Sequence, residues 1–249
     1  MPMRLDQFLV QQGLVRSRSQ AKEIIANGSV EIKDHHGDWR LIEKPNFTCG
    51  DHTEVRMLND GDTKWVARSG LKLHNALSRL KVDVSNFCCL DLGQSTGGFT
   101  QSLLKRGAKK VVGVDIGRAQ LVEDLKKDKR VVFFEGTDAR EISFLKKDYK
   151  FEFIAADLSF ISIVKVLPAI LDVASSGSLV LILLKPQFEV GKEAIGRTGL
   201  VLSPELQLSC QKRLFDALNI GSVEVLDYFP SSIKGKNGNQ EFICCFNIV

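Results

Sequence analysis

Apolar residues recur along this 249-residue chain in two rhythms, and the change between them divides it. In the first segment Leu5, Phe8 and Leu9 fall at i, i+3 and i+4, with Gly13 where a helix would stop. A second helix is expected from Ser19 to Ala26, with Ile24 and Ile25 inward and Asn27-Gly28 as its end. Val30 and Ile32 then alternate with Glu31 and Lys33, a half-buried strand leading into a turn at 34–38. Asn59-Asp60-Gly61-Asp62-Thr63 is polar and turn-rich, so the expected domains are 1–60 and 69–249 with a connector over 61–68. Trp65, inside that connector, is expected to plug the junction.

From residue 69 onward helical and strand patterns alternate. Ser69 is placed to cap a helix carrying Leu73, Ala76, Leu77 and Leu80 on one face. Strands are expected at 87–92, 110–115, 131–135, 151–157, 178–184, 221–228 and 241–248. Helices are expected near 97–105, 119–126, 161–173 and 204–218. Such alternation predicts an α/β domain with a mostly parallel sheet, helices on both faces, and a closing antiparallel pair.

Composition narrows the classes. The longest apolar run, Leu179 to Leu184, is strand-sized, far short of the ~20 residues a membrane helix needs. No secretory signal is seen, and the expectation is a cytoplasmic protein. None of the six cysteines forms a C-x-x-C pair, so no metal site is expected and the thiols read as reduced and buried. The net charge of +4 is unevenly spread: residues 61–130 carry 14 basic and 7 acidic side chains, whereas residues 1–60 carry 8 and 9. A positive middle suits a phosphate backbone, although solvated lysines such as Lys126, Lys127 and Lys129 serve solubility equally well.

The densest chemistry lies in Asp91-Leu92-Gly93-Gln94-Ser95-Thr96-Gly97-Gly98-Phe99-Thr100, which follows an apolar strand and opens a helix. Glycines let backbone pass close to a ligand, and the first amides of the helix point at it. Gly93-x-Ser95-x-Gly97 matches the serine-hydrolase elbow, but all four histidines precede Ser95, which excludes that chain order. A dinucleotide fingerprint is only partly met, because Ser95 stands where its second glycine belongs. Four acids end successive strands: Asp91, Asp115, Asp138 shortly after its strand, and Asp157. Asp115 is placed for ribose hydroxyls and Asp138 for an adenine amine. Negative charge gathered at one sheet edge suits a cationic sulfonium better than a pyrophosphate. At the end of the most apolar strand stands Lys185; burying that charge is costly without a partner, and Asp157 on the neighbouring strand is the candidate. Lys72 and Glu241 complete a set of alternating charges.

Two resemblances follow. Arg4-Leu5-Asp6-x-Phe8-Leu9, Leu14-Val15-Arg16-Ser17-Arg18-Ser19-Gln20-Ala21-Lys22 and Ile25-x-x-Gly28-x-Val30 resemble the small RNA-binding module of a small-subunit ribosomal protein. That likeness implies a basic edge (Arg4, Arg16, Arg18, Lys22) that grips phosphates of structured RNA by shape. The Asp91–Thr100 loop with Lys72, Asp157, Lys185 and Glu241 resembles, over essentially the full chain, the TlyA-type subfamily of FtsJ-like ribose methyltransferases. Many members of that subfamily carry a haemolysin label.

The second resemblance implies a Rossmann-like class I methyltransferase sheet of seven strands with a terminal antiparallel strand, preceded by a small α+β RNA-binding domain. It implies S-adenosyl-L-methionine held by Asp91, Gly93, Ser95, Thr96, Gly97, Gly98, Phe99, Asp115, Asp138 and Asp157. It implies ribosomal RNA in a ribosomal subunit as substrate, with Arg68 added to the RNA contacts. Lys185 is then the expected general base, oriented by Asp157, with Lys72 and Glu241 positioning the 2′-hydroxyl. Two departures stand out: Gln94 replaces a small residue and is expected to narrow the cofactor mouth, and Asp138 replaces asparagine. Two other readings compete. A pore-forming haemolysin needs a membrane segment and an export signal, neither of which is seen. A non-catalytic ribosome-associated RNA-binding factor conflicts with the intact charged set.

Overall fold

A computed structural model describes residues 3–26, 29–33, 37–50, 53–57, 65–195, 199–235 and 238–249. The expected helix end at 27–28, most of the turn at 34–38, and 59–64 of the polar boundary lie outside them. The chain forms two compact units, residues 1–68 and 69–249.

In the first unit β1 (Met3–Arg4) pairs with β4 (Thr48–Cys49), while β3 (Trp39–Leu41), β2 (Val30–Lys33) and β5 (Val55–Met57) form a three-stranded antiparallel sheet. Helices α1 (Leu5–Gln11) and α2 (Arg18–Ala26) close over a core of Leu5, Leu9, Ala21, Ile25 and Val30, all fully buried. Trp65 is 6% exposed, and its carbonyl accepts a hydrogen bond from Gln20 Nε2 at 2.9 Å. Asp6 is fully buried at the base of the basic edge. It accepts bonds from Arg4 Nε at 2.9 Å and Arg18 Nη2 at 3.1 Å, pairs that the spacing of Arg16, Arg18 and Lys22 from Glu23 did not suggest. Burial works against its charge, yet the two guanidinium groups hold its carboxyl below the ordinary range.

The second unit opens with α3 (Arg68–Leu80), which starts before Ser69, so that serine is a helix residue rather than a cap. The sheet runs β11–β12–β10–β9–β6–β7–β8. Its parallel members are β6 (Cys88–Leu92), β7 (Lys110–Asp115), β8 (Val131–Glu135), β9 (Phe151–Ala156) and β10 (Ala174–Leu184). The last strand, β12 (Phe242–Ile248), inserts antiparallel between β10 and β11 (Val223–Pro230). β10 lies inside the sheet between β12 and β9, and Val180 to Leu184 are all 2% exposed or less, which is why that strand is apolar on both faces.

Two expected helices are shorter than their patterns suggested. Of 119–126 only α5 (Glu123–Lys126) is α-helical. The preceding turn is held instead by Asp115, which accepts from Gly117 N at 2.6 Å, and Ala119 is left-handed. Of 161–173 only α6 (Leu167–Val173) is α-helical, after a 3₁₀ turn at Ile163–Lys165. Pro168 lacks an N–H and fits only the first turn of a helix, so the α-helix begins there.

The glycine loop is built by its packing. Gly97 is left-handed (φ 99°), and a side chain there would overlap Leu121 and Leu125. α4 (Gly98–Lys105) starts immediately after it. Gln94 is 4% exposed and turns inward over Gly113, donating to Thr100 Oγ1 at 2.9 Å, so it does not narrow any mouth. Thr100 in turn donates to Asp91 Oδ2 at 2.6 Å. Asp91 Oδ1 is buried with no hydrogen-bond partner among the described residues. Burial pushes the Asp91 carboxyl from 3.8 up to about 7; the Thr100 bond opposes this, and the nearby charges of Asp157 and Asp115 add to it.

Two outcomes are expected. Gly113→Ala drives a methyl into the Gln94 amide and costs about 1–3 kcal/mol in urea unfolding, part of it recovered by adding Gln94→Ala. Between about pH 4 and 7 folded Asp91 keeps a proton that the unfolded chain has released. Its contribution to stability therefore falls as pH rises through that window, by up to about 4 kcal/mol. Asp91→Asn removes the slope, so the variant gains on the parent at pH 8 relative to pH 5 in urea midpoints.

Candidate active site

Register brings five strand ends to one edge of the sheet. Leu92 pairs with Val114 and Ala156, Ile182 with Ala156, and Leu184 with Phe242. The loops after β6, β7, β9 and β10, and the residue before β12, therefore emerge side by side, as ligand sites of open parallel sheets require.

Within that edge a cavity of about 610 Å³ is lined by Gly93, Ser95, Asp115, Asp138 and Asp157, together with Gly117, Gln120, Thr137, Arg140, Ser159 and Phe160. Gly93 is left-handed, and a Cβ there would overlap the carbonyl of Asp157, so only glycine lets the loop pass. Asp115 ties the loops together, accepting from Ser95 N at 2.8 Å and from Gly117 N at 2.6 Å. Ser95 Oγ donates to Gln120 Oε1 at 2.9 Å. Asp138 is bound by Arg140 through two side-chain bonds, 3.0 and 2.6 Å, and its own loop amide; these hold its carboxyl at about 2.

Not every expected cofactor residue reaches this wall. Asp91 and Phe99 are buried beneath the loop, and Thr96, Gly97 and Gly98 turn it and start α4 without lining the cavity. Their part is to shape the loop.

Beside the cavity the four expected catalytic residues form two buried ion pairs. Lys185 Nζ lies 2.6 Å from Asp157 Oδ1 and donates to Ser159 Oγ at 3.0 Å. Lys72 Nζ lies 2.6 Å from Glu241 Oε2, and Gln187 Nε2 donates to the other oxygen of Glu241 at 3.5 Å. All four side chains are 11% exposed or less, so each charge is stabilised by its partner rather than by water. α7 (Pro186–Glu189) follows Lys185 directly and carries Gln187.

A second, larger cavity of about 1150 Å³ adjoins the first and shares Arg140, Phe160 and Ile161 with it. Phe160 is 92% exposed, has φ of 64°, and sits 5.1 Å from the Phe188 ring centre. An exposed aromatic in a left-handed conformation is costly unless it has a use. Sequence reasoning missed Ser159, Phe160, Gln120 and Arg140. The first two lie in a non-periodic loop; Arg140 was signalled only by its i+2 spacing from Asp138.

In the first unit, Arg16 and Lys22 are exposed, and Arg4 and Arg18 are half-exposed above Asp6; Arg68 is the first residue of α3. No helix among the described residues is long and apolar enough to cross a membrane.

Comparison with known proteins agrees with this architecture. Residues 65–248 match the FtsJ-like methyltransferase family, and residues 3–55 match the S4 domain. The chain is 40% identical over 242 residues to the 16S/23S rRNA (cytidine-2′-O)-methyltransferase TlyA of Mycobacterium tuberculosis, covering 96% of this chain and 87% of that one. It is 34% identical over 249 residues to Hemolysin A of Brachyspira hyodysenteriae, covering 99% and 100%. A solved structure from Streptococcus thermophilus that carries a hemolysin name superposes with a TM-score of 0.75 at 33% identity, over all of this chain and 89% of that one. The chain therefore belongs to the FtsJ-like methyltransferase family and carries an S4 domain ahead of its catalytic fold.

Proposed function

We propose that this protein is an S-adenosylmethionine-dependent 2′-O-methyltransferase of ribosomal RNA. The observation that carries the reading is the Lys185–Asp157 pair, with Lys72–Glu241 as its companion, opening beside the cavity under the glycine loop.

The residues of that cavity fit the cofactor. Gly93 and Ser95 present backbone, Asp115 is placed for ribose hydroxyls, Asp138 stands on the adenine side, and Asp157 offers negative charge near a sulfonium. Each Asp115 oxygen accepts one amide bond and keeps capacity for a hydroxyl. When bound, S-adenosylmethionine supplies an electrophilic methyl group.

A ribose hydroxyl attacks well only as it loses its proton. Lys185 Nζ accepts that proton as the 2′ oxygen attacks the methyl group, once the ammonium of the buried pair has given up its own. Asp157, 2.6 Å away, stabilises the ammonium that results, and Ser159 fixes the direction of the amine. Lys72 and Glu241 hold the hydroxyl in line, where orientation contributes much of the rate. Phe160, exposed at the border of both cavities, offers a face on which a splayed-out base stacks. In the S4 domain, Arg4, Arg16, Arg18 and Lys22 meet phosphates, and Arg68 extends that set. The active-site pairs favour this reading over a purely RNA-binding role, and the hemolysin name of some relatives has no membrane-crossing helix to match it among the described residues.

Lys185→Met is expected to lower methyl transfer from tritiated cofactor to ribosomal RNA by at least about 100-fold. Its cofactor affinity in calorimetry stays within about threefold of the parent, because no ribose or adenine contact is touched. Transfer at the parental rate removes Lys185 from the proposed role. Asp115→Ala does the reverse, weakening cofactor binding at least about tenfold through loss of charge-assisted bonds. Lys22→Ala weakens RNA binding and reduces the salt dependence of log K by about one unit of slope.

A further inference from the structure

The Lys185 pair depends on two loops that the sheet itself does not join. Parallel pairing of β9 with β10 ends at Ala156 and Ile182. Beyond it, no backbone hydrogen bond among the described residues links 158–162 to 185–189. One loop carries Asp157, Ser159 and Phe160; the other carries Lys185, Gln187 and Phe188. Side chains must hold them in register.

Glu189 supplies the strongest link. Its side chain is 1% exposed at the end of α7, four residues after Lys185. One carboxylate oxygen accepts from Ile163 N at 2.7 Å, and the other accepts from Ser162 Oγ at 2.6 Å. α8 (Pro204–Leu218) adds Arg213, whose Nη2 donates to the same oxygen at 3.1 Å and to the Glu189 carbonyl at 2.6 Å. A carboxylate this buried is stabilised only because every bond is made, and three of the four bonds run from it to a loop or helix outside its own segment. The Phe160–Phe188 ring contact lies on the open side of the same two loops.

We propose that Glu189 is a positioning residue that staples the Asp157–Ile163 loop to the segment carrying Lys185, and so sets the direction of the lysine amine. This rests on the ribose-methylation reading for its kinetic consequence, but the staple itself does not. Glu189 does not line the 610 Å³ cavity; it stands in the wall of the adjoining 1150 Å³ cavity, and its hydrogen-bonded link to the lysine runs through the loop that carries Asp157 and Ser159. Small misplacements of a reacting group are enough to cost a large factor in rate.

The test uses the 249-residue chain and two variants, with Lys185→Met as the assignment control. Glu189→Gln removes the charge. Ser162→Ala removes one bond and leaves those to Ile163 and Arg213, so it decides the matter if the first variant fails to fold. Steady-state methylation of ribosomal RNA is read together with cofactor affinity by calorimetry and with the side-chain NMR signal of Lys185, identified by its loss in Lys185→Met. The expected result is a kcat at least about tenfold lower in Glu189→Gln and about threefold lower in Ser162→Ala, with RNA KM and cofactor affinity within about threefold. The Lys185 signal shifts or broadens in both.

A kcat within about twofold of the parent in both variants, or an unmoved Lys185 signal, overturns the assignment. So does a rate loss that appears only where the melting temperature has collapsed. If the parent itself transfers no methyl group to RNA, the functional reading fails, and the NMR signal alone then decides the staple.

Discussion

The edge of the sheet proposed as the active site is governed by the cost of burying charge. Lys72, Asp157, Lys185 and Glu241 sit at 11% exposure or less, where an unpaired ion would be destabilising by several kcal/mol. Each is tolerated because an opposite charge stands 2.6 Å away. That requirement constrains the sheet: β9, β10 and β12 have to end at the same level, and α3 has to bring Lys72 over to Glu241. The antiparallel insertion of β12 makes this possible, since it puts the residue before the strand, rather than the one after it, beside Lys185.

The same economy appears beneath the glycine loop. Gln94, Thr100 and Asp91 form a buried hydrogen-bonded line that leaves one acidic oxygen unsatisfied. Neutralising that acid is the cheapest response the fold has, and a nearby positive ligand would change the balance. The loop is therefore defined from below by polar contacts and from the side by leucines packed against Gly97. Of residues 91–100, Gly93 and Ser95 line the 610 Å³ cavity.

Much of this was legible in the sequence because strands of a doubly covered sheet are apolar on both faces and end abruptly. Val131–Glu135 and Lys110–Asp115 were read with their observed bounds, and the charged residues ending the apolar runs come together at one edge of the sheet. What failed was local. Gln94 was read as facing a mouth because spacing does not show which side of a left-handed turn a residue faces; Gly113, whose missing side chain makes room for it, lies on the neighbouring strand β7 and well apart in the sequence. Residues 119–122, read as the start of a helix, instead follow a turn in which Asp115 accepts from Gly117 N, and Ala119 is left-handed. Ser159 and Phe160 lie in a loop, and Glu189 ends the one-turn helix α7; the positions of all three are tied to side-chain bonds across the fold, and no periodicity records such bonds.

Asp6 has a consequence for how the S4 domain meets a polyanion. It fastens a guanidinium from Arg4 and another from Arg18, contributed by different elements, while leaving about half of each side chain in solvent. Both cations are thus aimed before any encounter, and less rotamer freedom remains to be surrendered on contact. Lysine, a point charge on a flexible stem, would not reproduce the planar fork that lets one face grip the carboxylate while another stays outward. The S4 domain therefore carries two cations whose positions are set by one buried carboxylate rather than left to solvent.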